Sequence, residues 1–266
     1  MTYLLDSDLN GTDSIQFLID AGYVKHIPCP TYQDFDAAVK WLVRFAEPTD
    51  IVVLDTISQQ AFVTRGDAKL GTDLEADLWE RRSLFLDGDK NYLTVYDMAG
   101  QFIMRRLRNL RARGIRLITT AHEDDQTEGA IRKSAPQMNK ALYDSLRSAT
   151  SDVFRLWVLH QPIIDPTTRQ TLYPAGTRVV QIKPTDGAVA KYHTSPFVTD
   201  NLPGNVPIPS VMTPTLPTVY NVIGKLPSWL CLYGQQGSGK TTAAVSEAFY
   251  LYLQHNPHNP LQRTPA

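Results

Sequence analysis

The stretch Gly-Gln-Gln-Gly-Ser-Gly-Lys-Thr-Thr at residues 234–242 has the form G-x-x-x-x-G-K-[ST], which suits the binding of phosphate groups. It follows the apolar run 229–233, which predicts a buried strand. It leads into residues 241–254, where good helix formers predict a helix. A strand, a glycine-rich loop and a helix in this order are the setting that the motif requires. This stretch, hereafter the glycine loop, therefore predicts a nucleotide site.

The residues of the glycine loop have candidate roles. Its glycines let backbone N–H groups turn inward around phosphate oxygens, and the helix adds the positive end of its dipole. Lys240 would reach the β- and γ-phosphates, and the Thr241 hydroxyl would bind Mg²⁺. The alternative is a Gly/Ser turn that happens to precede Lys-Thr, and the flanking segments argue against it. The predicted nucleotide-binding residues are Gly234, Gln235, Gln236, Gly237, Ser238, Gly239, Lys240, Thr241 and Thr242.

The composition is that of a globular protein. The chain has 266 residues, of which 42% are hydrophobic and 20% charged, enough for one large core or two small ones. The formal net charge is −1, so any surface for nucleic acid must be local. Cys29 and Cys231 are expected to be reduced thiols. The sequence shows neither a signal peptide nor a long apolar run, which predicts a cytoplasmic protein with no membrane partner.

Upstream of the glycine loop, apolar strands alternate with helices. Thr31 and Asp34 have the spacing of a capping box and predict a helix start. The alternation predicts an α/β fold with a mainly parallel central sheet and helices on both faces. Between these elements, the segment 59–91 has mixed charge and is expected to be partly mobile. The other predicted elements are strands at 3–5, 51–54 and 115–120 and helices at about 13–21 and 93–113.

Polar side chains follow the predicted strands directly. Asp6 and Asp8 follow the first strand, Asp55 follows the next, and His122 follows the one after. Because ligands of parallel sheets bind at the carboxyl ends of the strands, we expect these residues to gather around the glycine loop. A carboxylate after four apolar residues can hold Mg²⁺ through water, so Asp55 is the predicted metal partner of Thr241.

Each of these strand-end residues also has a structural alternative. Asp55 could be a simple strand-end cap. Asp8 is a candidate general base that orients water on the γ-phosphate, but an aspartate ahead of Asn10-Gly11 also forms turns. His122 could contact the γ-phosphate and report its loss to the segment that follows, or it could be structural.

Four stretches together resemble a known family. YLLDSD at 3–8, IVVLDTIS at 51–58, LITTAHEDD at 117–125 and LYGQQGSGKTT at 232–242 are similar to the motifs of the RecA-like P-loop ATPases. The resemblance is strongest to the AAA-domain ATPases of phages that accompany single-strand annealing in recombination. In that family the strand of the phosphate loop comes first in the chain, so the resemblance implies a circularly permuted order here. ATP and Mg²⁺ are the ligands it implies.

The resemblance covers one domain in two pieces. We expect residues 1–198 and 226–254 to form the permuted RecA-like ATPase domain. Prolines are frequent in the connector, 199–225, which is expected to be extended rather than part of the core. Residues 255–266 are expected to be a disordered tail.

The segment 124–150 is polar and basic. In RecA-like proteins the corresponding loop contacts single-stranded DNA, and lysine or arginine there could neutralise phosphates without reading bases. The alternative is a solvated loop and helix, since Tyr143 is the only aromatic candidate for stacking on bases. The candidate DNA-binding residues are Arg132, Lys133, Lys140 and Arg147.

Further strands are predicted at 153–159, 178–183 and 188–194, the last two joined by a turn. The resemblance places Lys191 where a lysine of a neighbouring subunit reaches the γ-phosphate, which implies a homo-oligomer. Arg155 and Arg178 are alternative candidates for this cationic finger.

Together these features predict an ATP-hydrolysing, RecA-like protein that acts on single-stranded DNA in phage recombination or repair, in the host cytoplasm. An annealing protein or a single-strand-binding protein is a possible partner. The alternative is a nucleotide-dependent loader or switch that binds a replication protein and contacts DNA poorly. A GTPase is a third hypothesis, and the sequence lacks the N/T-K-x-D motif that reads guanine.

Overall fold

The structure is a computed structural model, and it describes residues 1–9, 12–58, 92–128, 131–138, 140–191, 204–207 and 228–255. The segment 59–91, most of the proline-rich connector and the end of the chain from 256 lie outside the described residues. The predictions made for those parts therefore stay predictions.

Eleven strands and five α-helices occupy the described residues. The helices are α1 (Gln16–Asp20), α2 (Tyr32–Phe45), α3 (Tyr92–Ala112), α4 (Lys140–Ala149) and α5 (Lys240–His255). A 3₁₀ turn at Asp13–Ile15 leads into α1. The strands are β1 (Thr2–Asp6), β2 (Val24–Pro28), β3 (Ile51–Asp55), β4 (Arg116–Glu128), β5 (Ile131–Pro136), β6 (Asp152–Val158), β7 (Ile163–Ile164), β8 (Thr171–Tyr173), β9 (Arg178–Gln181), β10 (Asn205–Pro207) and β11 (Trp229–Gly234).

Nine of these strands form one sheet in the order β2-β1-β3-β4-β11-β6-β9-β10, with β5 paired to β4 outside this path. All neighbours from β2 to β6 run parallel, whereas β9 and β10 are antiparallel additions at one side. The predicted α/β fold with a mainly parallel central sheet is therefore confirmed. β11 is the last described strand in the chain, yet it lies in the middle of the sheet.

Apolar residues on the two faces of the sheet build two cores. One core packs the sheet against α2, α3 and α4, with Phe35, Leu107 and Leu142 among its buried members. The other packs it against α1 and α5, with Leu18 and Val245 among its members. Alternate residues of each central strand point to opposite faces, so these strands are apolar throughout and buried on both sides.

Several predicted elements are confirmed with small shifts at their ends. Thr31 accepts a hydrogen bond from the Asp34 backbone, and the Asp34 side chain accepts one from the Thr31 backbone, which completes the predicted capping box. The helix predicted at 93–113 is α3, and the strand predicted at 153–159 is β6. Cys29 and Cys231 are buried and form no disulfide.

Other elements depart from the predictions. The short edge strand β2 was not predicted, because lysine and histidine interrupt its apolar pattern. Part of the polar segment 124–150 is not a loop but an antiparallel hairpin of β4 and β5. The strand predicted at 188–194 is wrong for its described part. Ala188 makes a single bridge to Ser134, and Lys191 makes one to Val153, so the segment crosses between two strands and forms a ladder with neither.

Part of the connector is ordered into the sheet. Residues 204–207 include β10, which pairs with β9 at the sheet edge. Within the described part of the chain, no helix combines the length and apolar character needed to cross a membrane.

Candidate active site

A cleft of about 370 Å³ opens at the carboxyl ends of β1, β3, β4 and β11. The glycine loop forms one side of it, and the segments that follow β1, β3 and β4 supply the rest. The cleft is lined by Asp8, Asp13, Ser14, Asp55, His122, Gln236, Gly237, Gly239, Lys240, Thr241 and Thr242. The strand-end residues Asp8, Asp55 and His122 therefore share one space with most of the glycine loop.

Two residues that were predicted to bind metal are in contact. The Thr241 hydroxyl donates a hydrogen bond of 2.5 Å to Asp55 Oδ2, although 186 positions separate these residues in the chain. The other carboxylate oxygen of Asp55 accepts a bond from the Thr120 hydroxyl. Burial raises the pKa of Asp55, and the two threonine bonds and Lys240 oppose that effect. The end of β3 and the start of α5 thus bring the two oxygens that are predicted to bind metal to one point.

The backbone of the glycine loop requires glycine at defined positions. A Cβ on Gly234 would lie 2.0 Å from the backbone oxygen of Leu156, so β11 can approach β6 there only without a side chain. Gly237 and Gly239 have φ of 77° and 88°, in the region that other L-residues rarely adopt. These glycines therefore fix the path of the loop before α5 begins.

Lys240 is the first residue of α5, and only 7% of its surface is exposed. Its Nζ donates a 2.8 Å hydrogen bond to the Gln235 backbone oxygen, across the glycine loop. Burial lowers the pKa of Lys240, while Asp55, Asp8 and Glu123 act in the opposite direction. An ammonium group is thus held inside the cleft among carboxylates.

One buried hydroxyl of the glycine loop lacks a hydrogen-bond partner. Ser238 is buried, and its hydroxyl has no hydrogen-bond partner. Nearby, Ser14 and Thr242 share a 2.6 Å hydrogen bond between their hydroxyls, which ties the turn after β1 to the start of α5. Asp13 and Ser14 were not predicted as site residues, because nothing in the sequence pairs the turn after β1 with the far end of the chain.

Asp8 and His122 face each other across the cleft. His122 Nε2 lies 3.9 Å from Asp8 Oδ2, and both side chains are partly exposed. Burial and the nearby Lys240 lower the pKa of His122, whereas Asp8 and Asp55 raise it by a smaller amount. The His122 backbone N–H is fixed by a 2.9 Å bond to the Ser58 hydroxyl. Both residues therefore stand where a ligand in the cleft would meet them.

Lys191, the first candidate for the cationic finger, lies away from the cleft. Lys191 donates bonds of 2.7 Å and 2.6 Å to the backbone oxygens of Arg147 and Thr150, at the end of α4. Its backbone pairs with Val153 at the start of β6. The amino ends of the parallel strands lie here, on the side of the sheet opposite the cleft. Within one subunit the structure does not bring Lys191 to the site.

The two arginine alternatives differ in position. Arg155 forms an ion pair with Glu123, and its guanidinium lies 4.9 Å from the ring centroid of Trp157. Arg178 is exposed, and it pairs in register with Val158, the last residue of β6. Arg178 therefore lies toward the edge of the sheet where the cleft opens.

The candidate DNA-binding residues do not form one cluster. Lys133 lies on the β4–β5 hairpin, and the Arg132 side chain lies outside the described residues. Lys140 is exposed at the start of α4 and lies 3.3 Å from Asp144, whereas Arg147 is near the other end of that helix. Tyr143 is only 7% exposed, so it cannot serve as the stacking platform considered from the sequence.

Among the described residues, no group of three or more histidine, cysteine or acidic side chains is arranged to hold a metal ion by itself. Comparison of the chain with protein-family models, with curated proteins and with solved structures finds no match.

Proposed function

We propose that the protein binds and hydrolyses ATP in the cleft. The observation that carries the proposal is the contact between Thr241 and Asp55 beside the buried ammonium of Lys240. A threonine hydroxyl, a strand-end carboxylate and a lysine around a glycine-rich loop are the parts with which P-loop NTPases hold a triphosphate and Mg²⁺.

The residues present fit these two groups. Mg²⁺ prefers oxygen ligands and keeps several waters. Asp55 and Thr241 offer two oxygen atoms, and the described residues contain no cluster of three or more histidine, cysteine or acidic side chains that would replace those waters. The unpaired hydroxyl of Ser238 and the start of α5 favour an anionic ligand at the glycine loop. When bound, Mg²⁺ would neutralise charge on the β- and γ-phosphates.

The remaining side chains of the cleft have separate proposed roles. Lys240 would stabilise negative charge at the β- and γ-phosphates. Asp8 would orient the attacking water and accept its proton, which requires a carboxylate within hydrogen-bond reach of the nucleophile. His122, at the end of the buried part of β4, would contact the γ-phosphate.

We also propose that the domain is RecA-like and circularly permuted. β11 lies between β4 and β6, and β1, β3 and β4 approach it in that order from one side. Placing β11 and α5 ahead of β1 in the chain would give the strand order of the family that the sequence resembles. α5 packs against β1 and β3, the strands that would then follow it.

Coupling to single-stranded DNA is the finer part of the proposal. β4 continues without interruption from the cleft residue His122 into the hairpin with β5. A contact between His122 and the γ-phosphate would therefore act on the strand that carries the hairpin. Lys133 on the hairpin and Lys140 at the start of α4 are the cations that would meet DNA phosphates.

The test is steady-state phosphate release from ATP, with and without single-stranded oligonucleotides, over a range of protein concentration. We expect magnesium-dependent turnover that single-stranded DNA stimulates and that rises with self-association. Turnover that no oligonucleotide changes would contradict the DNA role and favour the loader or switch hypothesis. No turnover at any concentration would contradict the ATPase proposal itself.

A parallel titration with GTP tests the choice of nucleotide. We expect ATP to bind more tightly than GTP, since the sequence lacks the guanine-reading motif. Preference for GTP would transfer the proposal to the GTPase alternative.

A further inference from the structure

Asp6, the last residue of β1, is a buried carboxylate that lies outside the cleft lining. Its side chain is 1% exposed. Its Oδ1 accepts hydrogen bonds from two backbone N–H groups of the segment that follows, at 3.2 Å from Asp8 and 2.9 Å from Leu9. The carboxylate therefore folds the chain back over the end of β1, and this fold presents Asp8 to the cleft.

The backbone of this turn is in an unfavourable conformation. Leu9 has φ of 57°, in the left-handed region that a leucine rarely adopts, and the residue is 51% exposed. An unfavourable backbone conformation persists only where other contacts impose it. Among the described residues of this turn, the two bonds to Asp6 Oδ1 are contacts of this kind.

The second oxygen of Asp6 meets a histidine from the neighbouring strand. His26 Nε2, on β2, lies 2.9 Å from Asp6 Oδ2. The His26 side chain is 26% exposed, so it closes the carboxylate off from solvent at the edge of the sheet. His26 thus fixes the orientation in which Asp6 Oδ1 faces the turn.

The same strand end is tied to the predicted metal ligand. The Ser7 N–H donates a 2.7 Å bond to the backbone oxygen of Asp55. The Ser7 hydroxyl and the Thr56 backbone exchange two 2.8 Å bonds. The position of Asp8 relative to Asp55 therefore depends on the turn geometry that Asp6 imposes.

We propose that Asp6 and His26 are positioning residues that hold Asp8 in place for water activation. This inference rests on the proposed ATPase function. Asp6 and His26 act through Asp8, and neither side chain lines the cleft. A displacement of about 1 Å of a reacting group from its working position can lower a rate by as much as a hundredfold.

The test combines a double-mutant cycle with hydrogen exchange. His26→Ala is expected to lower kcat about tenfold and to change KM for ATP by less than about twofold, because the glycine loop is untouched. In an Asp8→Asn background, His26→Ala should have no further effect on the residual rate, since its action passes through Asp8. Asp6→Asn keeps an oxygen acceptor for the turn and should retain more activity than Asp6→Ala.

A second measurement does not depend on turnover. Exchange of the backbone amides of residues 8 and 9 should be faster in His26→Ala than in the wild type, at equal thermal stability. His160→Ala is the matched control: His160 is exposed and is not among the residues that line the cleft, so rate and exchange should stay unchanged.

The outcomes separate the two proposals. Unchanged exchange in His26→Ala would overturn the positioning role, and so would an equal loss of rate with or without Asp8. Faster exchange in a protein that hydrolyses no nucleotide would support the positioning of Asp8. It would contradict only the ATPase function.

Discussion

Polar side chains are used differently on the two sides of the central sheet where its strands begin and end. We call the side at the carboxyl ends of the parallel strands the cleft edge, and the side at their amino ends the opposite edge. At the cleft edge, where β3 and β11 end and β4 leaves the central sheet, Asp55, His122 and Lys240 line one shared space. At the opposite edge, where β6 begins, Lys191 instead binds two carbonyl oxygens at the end of α4. Strand direction thus decides whether a polar residue near a strand end joins a shared site or a local cap.

The reason is geometric. Parallel neighbours bring the residues that follow them to one edge whatever their distance in the chain, as with Thr241 and Asp55. β9 runs antiparallel to β6, so Arg178 at the start of β9 lies toward the cleft edge. The chain that follows β9 reaches the opposite edge, where Lys191 pairs with Val153. Substitutions at the two edges should therefore differ in kind, with turnover lost at one and stability lost at the other.

Lys240→Ala should have the largest effect. Removal of a cation that faces developing charge in a closed site costs about 10²–10³-fold in rate, and we expect at least that loss of phosphate release. The fold should persist, because the buried ammonium makes one bond to a loop carbonyl and contributes no apolar packing of its own. Circular dichroism and the unfolding midpoint check this second part.

Lys40→Ala is the control for Lys240→Ala. Lys40 is an exposed helical lysine that pairs with Asp36 one turn away, and its loss should leave turnover unchanged. If Lys240→Ala kept normal turnover, the glycine loop would have no part in the chemistry, and the contrast between the two edges would fail.

Asp55→Asn is expected to lower turnover about a hundredfold at fixed Mg²⁺, and added Mg²⁺ should restore part of it. The amide keeps one oxygen but loses the charge that a divalent cation requires. Thr120→Val is a useful companion, since it removes a hydrogen bond to Asp55 while leaving the carboxylate. A variant Asp55→Asn with wild-type dependence on Mg²⁺ would exclude Asp55 as a metal ligand.

Asp55→Asn should also change the stability of the protein, by an amount that depends on pH. Burial raises the pKa of Asp55 above its ordinary value of 3.8, so the folded protein favours the protonated carboxyl more than the unfolded chain does. Ionisation of this group therefore costs stability as pH rises above that ordinary value. Asp55→Asn should match the wild type near pH 4 and become relatively more stable at neutral pH, as measured by denaturant unfolding. The opposite trend would mean that the carboxylate is stabilised where it lies.

His122→Ala should have a smaller effect, about tenfold on basal turnover, and a larger one on stimulation by single-stranded DNA. Burial and Lys240 lower the pKa of His122, so the ring is neutral at pH 7 and its contribution should not change between pH 7 and 8. His122→Gln keeps a neutral donor and should recover part of the rate. Full DNA stimulation of His122→Ala would remove the proposed link to the hairpin.

The cleft was predictable from the sequence because its signals are local and its geometry is generic. The glycine loop has a recognisable motif, and each strand before a site residue is a run of apolar residues. Once the sheet is known to be parallel, Asp55, His122 and Lys240 are expected on the same side of it. The contact between Thr241 and Asp55 also required the strand order, in which only β4 separates β3 from β11.

Features set by tertiary packing were not predictable. β2 is an edge strand with lysine and histidine in its middle, so its pattern resembles a loop. The bond between Ser14 and Thr242 joins a 3₁₀ turn to the start of α5, and the two segments share no motif. The composition around Ala188 and Lys191 predicts a strand. In the structure, however, Ala188 pairs with β5 and Lys191 pairs with β6, so the segment forms no continuous ladder with either.

Lys191→Met should have the smallest effect on turnover and a measurable one on stability. It removes a cation and two hydrogen bonds from the carbonyl end of α4, which should lower the free energy of unfolding by about 1 kcal/mol. Phosphate release per folded protein should stay within about twofold of the wild type, since local caps contribute to stability and not to chemistry. Arg178→Met, at the cleft edge, should show the reverse pattern if it serves as the cationic finger.

Mixing experiments decide whether either residue acts across a subunit boundary. Lys240→Ala subunits lack turnover but still present Lys191 and Arg178 to a neighbour. Adding them to Arg178→Met protein should restore activity if Arg178 is supplied in trans, whereas Lys191→Met protein should gain nothing. Rescue of an inactive but stable Lys191→Met variant by the same subunits would reverse this assignment. It would mean that an oligomer draws a residue from the opposite edge of one sheet into the cleft of another, and strand direction within one subunit would then no longer define the site.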